Sequence, residues 1–447
     1  MTTTLGHPLA ERRRTAAGTH GAVTATLGPM ASPISGGRLD GVDLEALARR
    51  VPTPFYAYSA TTLDARIDAL QSATESHGIA VRYAAKANAT LALLQRIAEA
   101  GFGADIVSIG ELERCLRAGI PADRIVYSGV GKTTVDIATA LAAGVECLNV
   151  ESLDELQTIE RIAEASNRPV RVAARINPDV DAGSHAKIST GRAEDKFGVS
   201  PAEARAWFAR EQASPLVRLD GLHVHIGSQN LDLAPFHRAF AQVAQFAREL
   251  ATLGHPIASI DVGGGLGVAY RDGQRPPGIA EYMDTVRTAL SGFSGRILIE
   301  PGRWLVADAG VLVTRVIRVK NTGTRRFLIL DAAMNDFARP SLYDAWHAIA
   351  PLTPRDGTPL PHDIVGPVCE TGDTFARDRL LPPCHTGDLV LIHGAGAYGT
   401  SMSSNYNTRP RIAEVLLQDG RYAIIRRRQT FDELIAGEQP ARHWESA

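Results

Sequence analysis

The chain has 447 residues, 45% hydrophobic and 21% charged, with 47 basic against 49 acidic side chains and a formal net charge of -2. That balance gives no electrostatic case for nucleic acid or an anionic membrane as partner, and no apolar run approaches the ~18–20 residues that span a bilayer. Four cysteines (Cys115, Cys147, Cys369, Cys384) without CxxC or zinc-type spacing exclude a disulfide scaffold and fit a reducing, cytoplasmic compartment.

Residues 1–32 are rich in Thr, Ala and Gly, carry three consecutive arginines and hold one acidic residue, Glu11. They lack the continuous apolar core of a secretory signal. Basic and acid-poor composition also describes organelle transit peptides, but the stretch is read as a flexible tail. From about residue 53 the chain alternates short β-rich runs with helical patterns that close on Gly. The runs are "AVRYA" (80–84), "ADIVS" (104–108), "RIVYS" (124–128), "ECLNV" (146–150), "VRVAARI" (170–176), "LDGLHVHI" (219–226), "ASIDV" (258–262) and "RILIE" (296–300). Strand–helix alternation implies a parallel sheet. Eight such units in about 250 residues match a (β/α)8 TIM barrel. A doubly wound open sheet is the alternative. It would not join the first strand to the eighth, whereas Lys86, Asp105, Ser108, Ser128, Arg175, Asn177, His225, Gly263 to Gly265 and Glu300 all fall at or after strand ends, where a barrel gathers its chemistry.

After Glu300 the pattern changes. Two β-branched runs flank "NTGT", a hairpin signal. Further β-like runs are "HDIVGPVC", "GDLVLIHGAG" and "IAEVLLQDGRYAIIRRR". The expected organisation is therefore an α/β barrel over 53–304, a C-terminal all-β domain formed by 305–436 with 33–52, and a C-terminal tail over 437–447.

Taken singly, the strand-end residues are ambiguous. A strand-end lysine is usually a solvated charge. His223 and His225 alternate and so share one face, as metal ligands or as hydrogen-bonded core residues. "DVGGGLG" suits a phosphate or a tight turn, and a lone carboxylate such as Glu300 is most often paired structurally. Together they fit pyridoxal 5'-phosphate. Lys86 would bond its aldehyde, the Gly263–Gly265 amides with Ser228 would hold its phosphate, His225 would stack on its ring, and Glu300 would keep its ring nitrogen protonated. Burial and a neighbouring cation are expected to lower the pKa of Lys86 and keep it nucleophilic. A metal fits less well, because no third ligand is placed by a recognisable spacing.

"YAAKAN" (83–88), "HIGSQ", "DVGGGLG" and "EPGR" resemble, in order, the motifs of the alanine-racemase-type (fold type III) pyridoxal-phosphate enzymes. "DAAMNDFARPSLYDAWH" (331–347), "VGPVCETGD" (365–373), "GAGAYGTSMSSNYNTRP" (394–410), "HAKISTG" (185–191) and "KFG" (196–198) are similar to the diaminopimelate decarboxylase family within them. The resemblance spans roughly residues 34–436. It implies a carbon–carbon lyase that decarboxylates meso-2,6-diaminopimelate at its D-centre to L-lysine, the last step of lysine biosynthesis. It also implies cofactor contacts from Lys86, Asp105, His225, Ser228, Gly264, Gly265, Glu300, Gly302, Arg303 and Tyr398. Arg303, Arg339 and Tyr343 would grip the substrate's distal carboxylate, Glu370 its distal ammonium, Tyr398 would also contact the substrate, and Cys369 would approach the reacting carbon. Cys369 and Glu370 come from a second subunit in the family, so a homodimer is implied. Ile109, Thr371 and Trp346 stand where the family usually has Gly, Ser and Tyr. They leave open a paralogue acting on a related amino acid or on a siderophore or antibiotic precursor. A non-enzymatic pyridoxal-phosphate-binding protein of this fold would usually be a much smaller, single barrel.

Overall fold

The computed structural model describes residues 34–181, 190–192, 194–210, 214–441 and 444. The tail read at 1–32, most of "HAKISTG" and part of the tail at 437–447 lie outside them. Three short strands, β1 (Ile34–Ser35), β2 (Arg38–Leu39) and β3 (Val42–Asp43), form a small antiparallel sheet, and β4 (Phe55–Ser59) follows.

The eight strands expected from the sequence are present as β5 (Ala80–Ala84), β6 (Gly103–Ile106), β7 (Ile125–Tyr127), β8 (Cys147–Val150), β9 (Val170–Arg175), β10 (Val217–His223), β11 (Ser259–Asp261) and β12 (Arg296–Ile299). They close into a parallel barrel, with Leu298 and Ile299 of β12 paired to Ala80 and Val81 of β5. An open doubly wound sheet is thereby excluded. Every residue of β6, β7 and β8 is buried, as expected of strands covered on both faces. The intervening helices are capped locally. Ser108 accepts the Glu111 N–H at the start of helix Ile109–Arg117, and Gly144, at φ 76°, ends helix Thr134–Ala143 in the left-handed conformation that glycine adopts without strain.

The remaining strands are β13 (Gly310–Asn321), β14 (Arg326–Leu330), β15 (Ile349–Pro351), β16 (Leu360–Val365), β17 (Thr374–Leu381), β18 (Leu389–Ile392), β19 (Ala413–Gln418) and β20 (Arg421–Arg426). With β4 they make a nine-stranded mixed sheet, its main path running β17-β16-β14-β13-β4-β19-β20. "NTGT" joins β13 to β14 as a hairpin. Asp419 and Gly420, both at positive φ, turn β19 into β20.

One boundary moves. "FYAYS", placed in the barrel from its sequence position, lies between β13 and β19 in the second sheet. Its own residues are all buried, and Ser59 then caps the first barrel helix, Ala60–Glu75. The barrel therefore starts after Ser59 rather than at 53.

Glu414 ties the two halves together. It is fully buried and accepts hydrogen bonds from Tyr58 Oη (2.7 Å), Thr90 Oγ1 (3.0 Å) and Thr400 Oγ1 (2.9 Å), while Arg426 pairs with it at 2.7 Å. Thr90 follows Lys86 by four residues, so this carboxylate anchors the segment that carries the amine. Glu414→Ala should cost about 3 kcal/mol of stability, because it strands three hydroxyls and a cation around a cavity. Urea unfolding followed by circular dichroism would measure it.

Candidate active site

Lys86 stands on a single 3-10 turn, Ala85–Ala87, directly after β5. Gly302 lets this turn approach the end of β12: a Cβ there would lie 3.1 Å from the side chains of both Ala84 and Ala87. The ammonium lies 2.8 Å from Oδ2 of Asp105, a fully buried residue of β6. Burial draws the pKa of Lys86 down, but the Asp105 carboxylate, reinforced by Glu300 and Tyr398, outweighs it and leaves the amine raised. This corrects the expectation of a lowered pKa. The nearest partner is an anion rather than a cation, so Lys86 becomes nucleophilic only when its proton is given up, and Asp105 is the adjoining base.

At the end of β12, Glu300 is buried and its Oε2 lies 3.3 Å from His223 Nε2. Burial, then repulsion from Asp105, pushes the Glu300 carboxyl up to about 8. Burial pushes His223 down to about 4, so the imidazole is neutral and shares one hydrogen bond with the Glu300 carboxyl. Asp261 joins them, its carboxyl raised by burial and by Glu300. The two histidines do not form a pair here: His223 meets two carboxylates, while His225 bonds the Gly264 N–H. Ligand atoms of His223, Asp261 and Glu300 lie within 4.8 Å of one another. Glu300 Oε1 has no hydrogen-bond partner among the described residues.

His225 faces the barrel mouth, where a cavity of about 370 Å3 is also lined by Lys86, Ser128, Lys132, Arg175 and Phe197. Burial, then the nearby Lys86 and Arg175 charges, holds its ring neutral, and its Nδ1 accepts the Gly264 N–H at 3.2 Å. The glycine turn is therefore partly committed. Gly263 N–H donates to Asp261 at 2.9 Å and Gly264 N–H to His225, so of the three amides expected to hold phosphate, two serve the site's own side chains. Gly265 N–H has no protein acceptor among the described residues.

A second cluster begins at Ser228. Arg303 donates to Ser228 Oγ and to Tyr270 Oη, both at 2.9 Å, and Arg339 donates to the same Tyr270 oxygen at 2.9 Å. His347 Nδ1 bonds the His393 carbonyl and so carries the proton; its Nε2, 3.0 Å from Arg339, accepts. Tyr398 packs its ring 4.7 Å from the Arg303 guanidinium. Its φ of 57° is left-handed, a cost of roughly 1 kcal/mol for a residue with a Cβ, offset by its N–H bond to the Ala87 carbonyl beside Lys86. Tyr343 ends the short helix Arg339–Tyr343 and adds to the charge environment of Arg303.

Cys369 and Glu370 are different. Both are exposed, on a loop tied to Asn407 and Tyr406, and no bond among the described residues joins them to Lys86. Tyr270, Asp261, His347 and Tyr406 were not picked out from the sequence. Asp261 opens the "DVGGG" run and Tyr406 lies within "GAGAYGTSMSSNYNTRP", so both were legible in principle; the loop residue Tyr270 carried no pattern.

The site fits pyridoxal phosphate on its own geometry: a lysine opening onto a cavity, a neutral imidazole on its wall, and a buried glutamate with an orphaned oxygen suited to a basic ring nitrogen. A closed (β/α)8 barrel with this set at its mouth defines a pyridoxal-phosphate enzyme. The family model described as "Pyridoxal-dependent decarboxylase, pyridoxal binding domain" matches residues 61–307. The diaminopimelate decarboxylase of Zymomonas mobilis subsp. mobilis is 44% identical over 405 residues, covering 90% of this chain and 96% of that protein. The Pseudomonas fluorescens enzyme of the same name is 46% identical over 406 residues, with 90% and 97% coverage. The crystal structure of diaminopimelate decarboxylase from Helicobacter pylori complexed with L-lysine superposes with a TM-score of 0.85 at 43% identity, over 88% of this chain and 98% of that one. The chain belongs to the diaminopimelate decarboxylase family.

Proposed function

We propose that this chain decarboxylates meso-2,6-diaminopimelate at its D-centre, releasing carbon dioxide and L-lysine. One observation carries the substrate end of this reading. Among the described residues five arginines are buried. Arg66, Arg82 and Arg175 each pair with a carboxylate, whereas Arg303 and Arg339 hold only a phenol, a serine and an imidazole. Two buried guanidinium groups that pair with no carboxylate among the described residues form a ready site for an anion, and a planar fork suits a carboxylate.

Bound pyridoxal phosphate supplies the electron sink for the pair left behind by the departing carboxylate. Lys86 would hold the cofactor by its aldehyde and Asp105 would exchange the amine's proton. Glu300, steadied by His223, would hold the proton of the ring nitrogen, and neutral His225 would cover a ring face. Gly265, Gly302, Ser228, Arg303 and Tyr398 would contact the cofactor near its phosphate. Arg303, Arg339, Tyr343 and Tyr398 would fix the substrate's L-centre, leaving its D-centre to face Lys86.

Cys369 and Glu370 would complete the site of a second copy. Their exposure and their separation from Lys86 support a homodimer with sites at the subunit interface. Four free cysteines support the cytoplasm as its compartment, and no described helix is long and apolar enough to cross a membrane. Mixing the inactive Lys86→Ala and Glu370→Ala proteins should restore part of the activity, because one of the two sites in a mixed dimer is then intact. Absence of any recovery after verified subunit exchange would refute the shared site.

The test of the reaction is a substrate scan on cofactor-loaded protein. The meso, LL and DD isomers of diaminopimelate, L-ornithine, L-arginine and D-lysine are supplied separately while carbon dioxide and amine are quantified. Lysine from the meso isomer with little product from the others is expected. Turnover of another compound alone would reassign the substrate.

A further inference from the structure

Tyr270 lies in the loop after the glycine turn, and its hydroxyl occupies an unusual position. A phenol oxygen offers two acceptor sites and one O–H donor. Both acceptor sites are taken, by Arg303 and Arg339 at 2.9 Å each. The proton must then point away from both guanidinium groups, and the hydroxyl's hydrogen bonds among the described residues are the two it accepts. The ring cannot swing to find one. His347 packs edge-on at 4.8 Å between ring centroids, and the Arg339 guanidinium lies 4.7 Å from the ring centroid. His347 is itself fixed, between the His393 carbonyl and Arg339.

We propose that Tyr270 is a specificity-determining residue that donates its hydroxyl proton to the substrate carboxylate gripped by Arg303 and Arg339. The inference rests on the carboxylate-clamp reading above and adds to it a third, neutral donor. Tyr270 does two things at once. As an acceptor it sets two like charges at a fixed separation without neutralising either. As a donor it reads a carboxylate oxygen placed between them. A ligand with the same amines and no carboxylate leaves that donor unmet, which is how a buried polar group discriminates.

The experiment compares the wild-type holoenzyme with Tyr270→Phe, which keeps the packed ring and removes only the hydroxyl. Titration calorimetry measures the binding of L-lysine and of cadaverine, which is lysine without its carboxylate. Pyridoxal phosphate affinity is followed separately, through the visible absorbance of cofactor-free protein as it loads. The expected result is lysine affinity weakened roughly 10- to 100-fold, with cadaverine and cofactor affinities unchanged; normal loading also shows that the variant is folded. Equal weakening of lysine and cadaverine, or unaltered lysine binding, would overturn the inference. A loss confined to the cofactor would move the hydroxyl to the phosphate and overturn it too. Wild-type protein that neither binds lysine nor turns over meso-diaminopimelate would remove the underlying reading and this inference together, whereas an active wild type beside an insensitive Tyr270→Phe removes the inference alone.

Discussion

Lys86→Ala protein should emerge from gel filtration without the visible absorbance of covalently held cofactor, and its turnover should fall by roughly 10^4-fold or more. The loss follows from position. Lys86 is the amine at the end of β5, on the cavity wall that also carries His225. The fold should survive, since the side chain is a third exposed and its hydrogen bond among the described residues is the one to Asp105. A variant that kept the absorbance band would refute the assignment of Lys86.

Glu300→Gln should lower kcat by about 10^2-fold or more, as expected when a charge facing the reacting system is replaced by a neutral group, and it should also change how the cofactor-free protein responds to pH. The Glu300 carboxyl is raised from 4.5 to about 8. Its contribution to stability is fully present below pH 4.5 and is lost as pH rises to 8, because the folded chain must give up a buried proton. His223, lowered from 6.5 to about 4, acts in the opposite sense: its contribution is present above 6.5 and lost as pH falls to 4. The two largely offset below 6.5, so the net fall is concentrated between about 6.5 and 8. Calorimetric Tm values for cofactor-free protein at those two pH values should show it, and Glu300→Gln should flatten it. An identical drop in the variant would show that another group is responsible. Loading the cofactor should flatten it as well, since a protonated ring nitrogen gives the Glu300 carboxylate a counter-charge.

The barrel was legible because its strands are covered on both faces and read as apolar runs, each followed by a helix that closes on glycine. The order of Lys86, His225, the glycine turn and Glu300 was legible for the same reason: strand ends converge in a closed barrel. The boundary at 53 took "FYAYS" into the barrel because the strand–helix alternation begins there. What assigns it elsewhere is pairing with β13 and β19, far along the chain. The basicity of Lys86 was misjudged because Asp105 meets it across neighbouring strands, a contact that neither run reveals alone. The glycine amides were over-assigned to phosphate because composition does not show that Asp261 and His225 claim two of them. Tyr270 stayed hidden because a loop tyrosine has no period to betray it.

The placement of β4 bears on how the protein is made. On the ribosome, Phe55–Ser59 leaves the exit tunnel early, yet Tyr58 reaches its partner Glu414 only 356 residues later. The barrel strands can pair as they emerge, each beside its predecessor, while a strand buried throughout in the finished fold waits for the last part of the message to be translated. Long-range pairing of this kind is slow and exposes surface prone to aggregation. Nascent chains stalled before residue 413 should therefore be the chaperone-dependent species, and completed chains should not.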